Sequence, residues 1–480
     1  MNPTEQTEND SQHWAIVGGG MLGMTLAHRL AERGQRVTLL ESAPTLGGLT
    51  SAWSLGDVVW DRYYHVTLLS DNNLRRLLGE IGLEEEMKWI ETKTGFYSDG
   101  KLHSMSNAMA FLNFPPLTFI EKLRLGGTIF YASKIRNWKR LEKISVVDWL
   151  RRWSGPGTFA KIWQPLLRAK LGEAYKTTSA AFIWAHINRM YKARRSGLKK
   201  EMFGYVPGGY ARVLDRFTSV LETEGVEVVC DAAVRQAVAT DGGQVEVTLA
   251  AGDVQTFDQV IFTIPSPYIG RACPQLTADE QTRFANINYL GIVCASLVLK
   301  KPISKYYVTN ITDTWVPLTA IIEMTTIVDR AEMGGHSLVY LPKYIAPGDD
   351  TYHLPDEQIE ERFLSTLEKM YDDFNRDDVL AFRVSRTRTV MALPTLGYSE
   401  HLPPMKTSVP GVFAVNSAHI LKGNLNVNET IEIAEDAVRD LFAPMITQGN
   451  ECPPSLPTST PTDHVEADSA KTDRELVARS

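Results

Sequence analysis

An α/β fold is predicted by three observations in this 480-residue sequence. A glycine turn near the N-terminus joins an apolar strand to an amphipathic helix, acidic β-branched alternation returns later in the chain, and a basic, tryptophan-rich stretch of helical pattern lies between them. Two or three structural units are expected, because an average domain takes roughly 150 residues. Hydrophobic residues at 44% and charged residues at 22% fit a globular chain and argue against a disordered or collagenous one. No apolar run reaches the roughly 18 to 20 residues that span a bilayer. The opening MNPTEQTENDSQH is polar and acidic where a secretory leader would be basic and then apolar, so a cytoplasmic chain is expected. Cys230, Cys273, Cys294 and Cys452 form no Cys-x-x-Cys pair, which points away from zinc and from dithiol chemistry. Any redox activity must then come from a cofactor.

The elements follow in order. Trp14 to Val17 reads as a buried strand, Met21 to Arg33 as a helix and Val37 to Leu40 as a second, parallel strand. From about Lys122 to Lys200 the pattern is helical, broken at Ser154-Gly155-Pro156-Gly157 and at Gly197. Strand signals resume in VEVVC, QVEVTLA and FDQVIFTIP. A helix from Asp356 to Tyr371 precedes the strand VLAFRVSRTRTVMALP, and PGVFAVNSAHILKGNLNVNETIEIAEDAVRDLF closes the ordered chain as strand, loop and helix. Residues 1–12 and 446–480 are polar and rich in Pro, Ser and Thr, and are expected to be disordered.

Gly18-Gly19-Gly20-Met21-Leu22-Gly23 satisfies G-x-G-x-x-G after a strand and at the mouth of a helix. Gly18 permits the turn, Gly20 lets backbone approach a pyrophosphate, and Gly23 lets helix and strand pack closely. The phosphates would rest on the unpaired N–H groups and positive dipole of the helix start. Glu41, at the end of the second strand, is placed to accept hydrogen bonds from a ribose and would repel a 2′-phosphate. The motif alone leaves NAD and FAD open. The doublet Gly47-Gly48, followed by Leu49, Thr50 and Ser51, adds backbone N–H groups beside the pyrophosphate and leaves room for a longer ligand; a plain surface loop is the other reading.

Charge is unevenly distributed. Residues 121–200 hold 19 Lys/Arg against 4 Asp/Glu, whereas the other 400 residues carry 31 against 53. The same segment holds five of the ten tryptophans, among them Trp138, Trp149 and Trp153. Clusters such as KIRNWKR and KARRSGLKK, preceded by the apolar MAFLNFPPLTFIEKL, suit an anionic membrane surface, where each basic residue contributes about 1 kcal/mol. A cationic substrate vestibule and a solvated helical face are the alternatives. Nucleic acid is not expected, since the rest of the chain would repel it.

These motifs, followed by YVPGGYARVL and the strand–loop–helix close, resemble the flavin amine oxidase, protoporphyrinogen oxidase and phytoene desaturase superfamily. The resemblance implies FAD as cofactor and a Rossmann-type FAD-binding domain of the GR2-like kind, with a mixed-sheet substrate domain and a basic helical subdomain. The FAD-binding domain would comprise 13–70, 205–265 and 380–445, the substrate domain 71–120 and 266–379, and the helical subdomain 121–204. It further implies cofactor contacts from Gly18 to Gly23, Glu41, Gly47 to Thr50, Val234 near the adenine, Asn416 and Val427. Where relatives close with Ala-Gly-Asp this chain has Val415-Asn416-Ser417, and the last helix begins NLNVNETIE, its start near Val427 directed at the flavin pyrimidine. MALPTLGYSEHL resembles the segment along the substrate side of the flavin.

His65, in WDRYYHV, falls where the family's chain passes the flavin, and a histidine satisfied at a strand end is the bland alternative. Arg383, Arg386 and Arg388 are spaced along one predicted strand and read as a row for an anionic substrate, or as a solvated face. His65 and Arg386 are the expected catalytic residues. The implied activity is an FAD-dependent oxidation of a C–C or C–N bond of a lipophilic or anionic small molecule, with dioxygen or a membrane quinone reoxidising the flavin. Two rivals stand beside it: a non-redox flavoenzyme resembling UDP-galactopyranose mutase, and a membrane-associated binding protein with a vestigial flavin site. The chain is expected at the inner face of the membrane as a peripheral protein if the basic segment binds lipid.

Overall fold

Buried Val, Ile, Leu and Phe runs too short for helices pair as five parallel strands, in the computed structural model that describes residues 11–192, 201–422 and 424–449. The sheet order is Glu227–Val229, Arg36–Leu40, His13–Val17, Gln259–Phe262, Val412–Ala414. Helix Met21–Ala31 crosses from the central strand to its neighbour, and its Leu22, Leu26 and Leu30 are buried. An antiparallel three-stranded sheet, Val234–Ala239, Val245–Leu249 and Val254–Phe257, is inserted ahead of Gln259–Phe262. A buried ion cluster ties this unit to the last helix: Arg29 donates to Glu32, Glu80 and Glu435 at 2.6 to 2.9 Å. The expected disordered stretches, and Gly197, lie outside the described residues, apart from the margins 11–12 and 446–449.

The second unit is a seven-stranded mixed sheet in the order Val379–Ala392, Tyr289–Leu299, Ser337–Ile345, Ala320–Glu323, Val308–Ile311, Thr94–Ser98, Lys101–Ser104. Strand Val379–Ala392 was expected to open the third segment, 380–445, of the FAD-binding domain. It instead forms the edge of this sheet, because its long run pairs antiparallel with Tyr289–Leu299 along almost its whole length. Period two divides the central strand: Val293, Ala295, Leu297 and Leu299 pack under helix Asp356–Met370, while Leu290, Ile292 and Cys294 face the helical subdomain.

The basic segment forms the helices expected of it, including Phe119–Lys134, Val146–Ser154, Gln164–Leu171 and Ala180–Lys192. Thr118 and Glu121 make a capping box at the first, and Gly155, at φ +86°, ends the second at the break the sequence placed there. Among the described residues no helix is long and apolar enough to cross a membrane.

Candidate functional site

The glycine turn is built by close approach. Gly18 donates its N–H to Leu40 O at 2.8 Å, and a Cβ on Gly23 would stand 1.9 Å from Gly18 O, so the helix start lies directly on the turn. Met21 and Leu22 bury their side chains and offer only backbone N–H groups, which the first helical turn leaves without intrahelical partners. Glu41 is buried and accepts Gly19 N–H at 2.6 Å and Ala43 N–H at 2.8 Å. Its own N–H donates to Val229 O, and its carbonyl accepts from Ala232 N–H. The carboxylate thus ties the glycine turn to the chain that leaves the second strand, and the Glu41 backbone ties that strand's end to the segment 229–232.

The Gly47-Gly48 doublet docks on this turn. Gly47 donates to Gly19 O at 2.8 Å, a Cβ on Gly48 would approach Gly20 Cα to 3.3 Å, and a Cβ on Gly20 would meet no protein atom within 4 Å. Two glycine-rich backbones thus face one open space bordered by N–H groups, a cradle of the shape and polarity that a pyrophosphate requires. Thr50 closes the doublet with its hydroxyl on Gly47 O at 2.8 Å, and Leu49 packs on the larger core. Val234 opens its strand two residues beyond Ala232, half-buried. The residues present fit FAD.

At the far end lie Ser417–His419 and the start of helix Val427–Ala437. Asn426 caps that helix, accepting Glu429 N–H at 3.1 Å, and Asn428 holds the start of helix Asn72–Glu80 by accepting from Asn73 and Leu74. A pocket is lined here by Met391, Ala392, Pro394, Ser417, Ala418 and Leu425, where part of MALPTLGYSEHL meets the closing loop. Asn416 departs from its expected role. Its amide donates to Ile264 O at 3.0 Å and to Ser266 Oγ at 3.1 Å, and its oxygen accepts Ala418 N–H at 3.0 Å. A buried side chain so engaged fixes the strand end, while its neighbour Ser417 stays half-exposed on the pocket.

His65 lies elsewhere, in a cavity with Trp60, Asp61, Tyr205, Tyr210 and Met324. Its ring sits 5.0 Å from that of Tyr210, and its Nδ1, 3.8 Å from Asp61 Oδ2, has no hydrogen bond. Burial lowers the imidazole to about 4 and raises the Asp61 carboxyl to about 7, the latter opposed by Tyr210 N–H, which donates to Oδ1 at 2.8 Å. Desolvation outweighs the hydrogen bonds that oppose it, from Tyr210 N–H at Asp61 and with the Tyr63 backbone at His65, so both groups stay uncharged between those values.

This pairing makes a pH prediction. Asp61 keeps its proton to about pH 7 when folded but only to the model-peptide 3.8 when unfolded, so its contribution is full below 3.8 and lost as pH rises through 7. His65, neutral when folded down to about 4 against 6.5 unfolded, contributes the opposite slope between those values. A His65→Leu variant removes the compensation and should lose on the order of 3 kcal/mol between pH 4 and 7. Urea midpoints across that range measure it, and a flat profile in the variant would contradict the assignment.

Arg386 is corrected more sharply. The interval from Arg383 to Arg386 is odd, and odd intervals fall on opposite faces of a pleated strand. Arg383 stacks on Trp53 at 4.3 Å and donates to Ser54 O. Arg386 donates to Leu354 O at 2.8 Å and pairs with Asp356 at 2.5 Å, while Arg388 lies over Tyr352. No common row exists, and Arg386 is spent anchoring helix Asp356–Met370, on the side of the sheet away from the helical subdomain.

What sequence reasoning missed is the wall between the sheet and the helical subdomain. Tyr64, Tyr307, Tyr340 and Tyr344 gather there with Cys294, Tyr64 and Tyr344 bringing their hydroxyls to 3.5 Å. Helix Ala180–Lys192 adds Phe182, His186 and Arg189, spaced i, i+4, i+7 on one face, a period that was legible but was absorbed into the basic segment. Phe182 also lines the Ser417 pocket, so this wall adjoins it.

Comparison with known proteins agrees with this geometry. Residues 22–441 match the family described as flavin containing amine oxidoreductase. A probable zeta-carotene desaturase of Synechococcus elongatus is 24% identical over 52% of this chain and 60% of its own length, so the match spans less than two thirds of that relative. A putative protoporphyrinogen oxidase from Exiguobacterium sp. 255-15 superposes with a TM-score of 0.71 at 19% identity, covering 91% of this chain and 99% of that one. Reduced UDP-galactopyranose mutase does so with 0.70 at 15% identity, covering 92% and 97%. At such identities the structures show the shared fold alone. The glycine cradle, the buried Glu41 and a match running through nearly all of the described chain together lead to one assignment: this protein belongs to the flavin-containing amine oxidoreductases, enzymes whose redox chemistry is carried by FAD.

Proposed function

We propose that this chain is an FAD-dependent desaturase-type oxidoreductase that removes two hydrogens from a C–C bond of a lipophilic molecule taken from a membrane surface. The observation that carries it is the tyrosine-lined wall, continuous with the core of the helical subdomain and adjoining the Ser417–Leu425 pocket. Such a wall suits a long apolar substrate better than a small polar amine. The desaturase relative favours a C–C bond over C–N.

In this reading Gly18 to Gly23 and Gly47 to Thr50 hold the pyrophosphate, Glu41 the ribose and Val234 the adenine. The start of helix Val427–Ala437 lies at the flavin's pyrimidine end, and Ser417 beside it. FAD held there would supply the two-electron acceptor that removal of two hydrogens from a C–C bond requires. The chain's own part is to position the C–H bond and keep water away. His65, neutral and packed on Tyr210 in its separate cavity, has a structural part in this reading. The mutase alternative loses its diphosphate clamp, since the three arginines are dispersed.

Access is proposed through the helical subdomain. Met109, Phe119, Ile120, Leu123 and Phe130 are 57 to 69% exposed, a far larger apolar display than isolated surface residues make. Arg124 and Lys134 lie on the same helix, as an anionic leaflet would require. Helix Phe119–Lys134 belongs to the same core as helix Ala180–Lys192, whose Trp184 donates to Ile135 O at 3.2 Å, so the patch is joined to the wall. The cluster KARRSGLKK falls almost wholly outside the described residues.

Anaerobic addition of vesicles carrying a lipophilic C–H donor, zeta-carotene as a neutral one and a long-chain unsaturated fatty acid as an anionic one, should bleach the flavin absorption in at least one case, with a product that has gained one double bond. Phe119→Ser/Ile120→Ser/Phe130→Ser should lower sedimentation with anionic vesicles at least tenfold while keeping flavin content. Unchanged sedimentation removes the membrane route, and a flavin that no lipophilic C–H donor bleaches removes the desaturase reading.

A further inference from the structure

Five cations of the helical subdomain pair with carboxylates. Lys161 pairs with Glu121 at 2.9 Å, Lys143 with Glu400 at 3.0 Å, Lys176 and Arg168 with Glu173 at 2.6 and 2.9 Å, and Arg189 with Asp71 at 2.8 Å. Lys170 differs. Its ammonium lies 3.2 Å from the centroid of the Tyr344 ring and has no hydrogen-bond or carboxylate partner among the described residues. Tyr344 stands opposite Ile292, on the sheet face that looks into the helical subdomain, and its hydroxyl reaches Tyr64. The unpaired charge is therefore directed at the tyrosine wall.

His186 points to open space at the same place. Its side chain touches solvent-sized space, yet protein surrounds it closely enough that burial, with the charges of Lys170 and Arg189, lowers its imidazole to about 4. A side chain both exposed and enclosed faces an internal chamber. No hydrogen bond is made to it by any described residue, so a neutral imidazole with one donor and one acceptor is free there. Phe182, one helical turn earlier and about 6 Å along the axis, borders the Ser417 pocket, so the chamber and the flavin site share one helix face.

We propose that this chamber receives the anionic end of an amphipathic substrate, a carboxylate or phosphate on an apolar chain, with Lys170 as its counter-ion and His186 as a hydrogen-bond partner. The inference deepens the proposed function and rests on its placement of the flavin. A partly buried ammonium held only by a π-face is poorly compensated against an apolar wall. An uncharged substrate would desolvate it further, whereas an anionic head would complete a charge-assisted hydrogen bond. The tyrosines take the chain and the cation takes the head.

The test is calorimetric titration of the purified flavoprotein with dodecanoate, dodecyl phosphate and dodecanol, each below its micellar concentration, with the flavin spectrum recorded in parallel. At least one anion should bind ten or more times tighter than the alcohol, and which one separates a carboxylate from a phosphate head. Lys170→Met should bring the anions within twofold of the alcohol, leaving dodecanol affinity and thermal midpoint unchanged, and Lys170→Arg should keep the preference. Equal affinities in the unmodified chain, binding of none of the three, or a preference that survives Lys170→Met overturns the proposal. A preference abolished by Lys170→Met but silent in the flavin spectrum leaves the anion site standing and removes its adjacency to the flavin.

Discussion

A Gly23→Ala chain is expected to lose its yellow colour on purification. The added Cβ would lie 1.9 Å from Gly18 O, and that oxygen belongs to a backbone that cannot swing away. Gly18 is tied to Leu40 O by its N–H, while its carbonyl accepts the Thr263 hydroxyl at 3.0 Å. Relief requires the helix start to move off the turn by more than an ångström, which separates the N–H groups of Met21 and Leu22 from Gly20 and the facing doublet. Overpacking of this kind costs about 1 to 3 kcal/mol in stability. The larger effect is on the cofactor, whose affinity should fall at least a hundredfold, since its pyrophosphate depends on that geometry. The ratio of flavin to protein absorbance, read with a thermal midpoint, measures both. Full flavin content in this variant would show that the turn can relax and that close packing is not what shapes the cradle.

Glu41→Arg should be as severe by a different route. The carboxylate accepts two backbone N–H groups at 2.6 and 2.8 Å and is buried. Arginine leaves those donors unsatisfied and places a cation among them, each unmet buried hydrogen bond costing about 1 to 3 kcal/mol. The turn opens and the ribose partner is lost together. Glu41→Gln separates the two losses, because its oxygen can still accept one N–H while the charge is gone. Flavin retention should therefore fall in the order wild type, Gln, Arg, with Arg giving colourless protein. Equal retention in all three would mean that the ribose is held elsewhere.

The legibility of this protein in its sequence was uneven, and the reason is the range of the interactions involved. The glycine turn, the helix Met21–Ala31 and the carboxylate at Glu41 are set within one β-α-β unit, where local steric rules leave few alternatives. Gly155, a helix end with positive φ, was readable for the same reason. Arg386 was misplaced because the row with Arg383 and Arg388 was counted without the pleat, which puts odd intervals on opposite faces. Asn416 has the chemistry of a ligand-binding residue, but its amide groups meet Ile264 and Ser266 across 150 positions of sequence, a partnership no local pattern announces.

By itself, then, the sequence determined the β-α-β unit and its glycine turn, because these rest on backbone geometry that neighbouring residues enforce, and its resemblance to a family pointed to FAD. Only the tertiary structure decided which side chains remain free to meet a substrate. It engaged Arg386 and Asn416 in the framework, paired Arg189 with Asp71, and left Lys170, with His186 near it, against a tyrosine wall drawn from strand Ser337–Ile345 and from distant loops at Tyr64 and Tyr307. A charge becomes functional or structural according to the partner that packing brings beside it, and that partner is chosen by the whole fold.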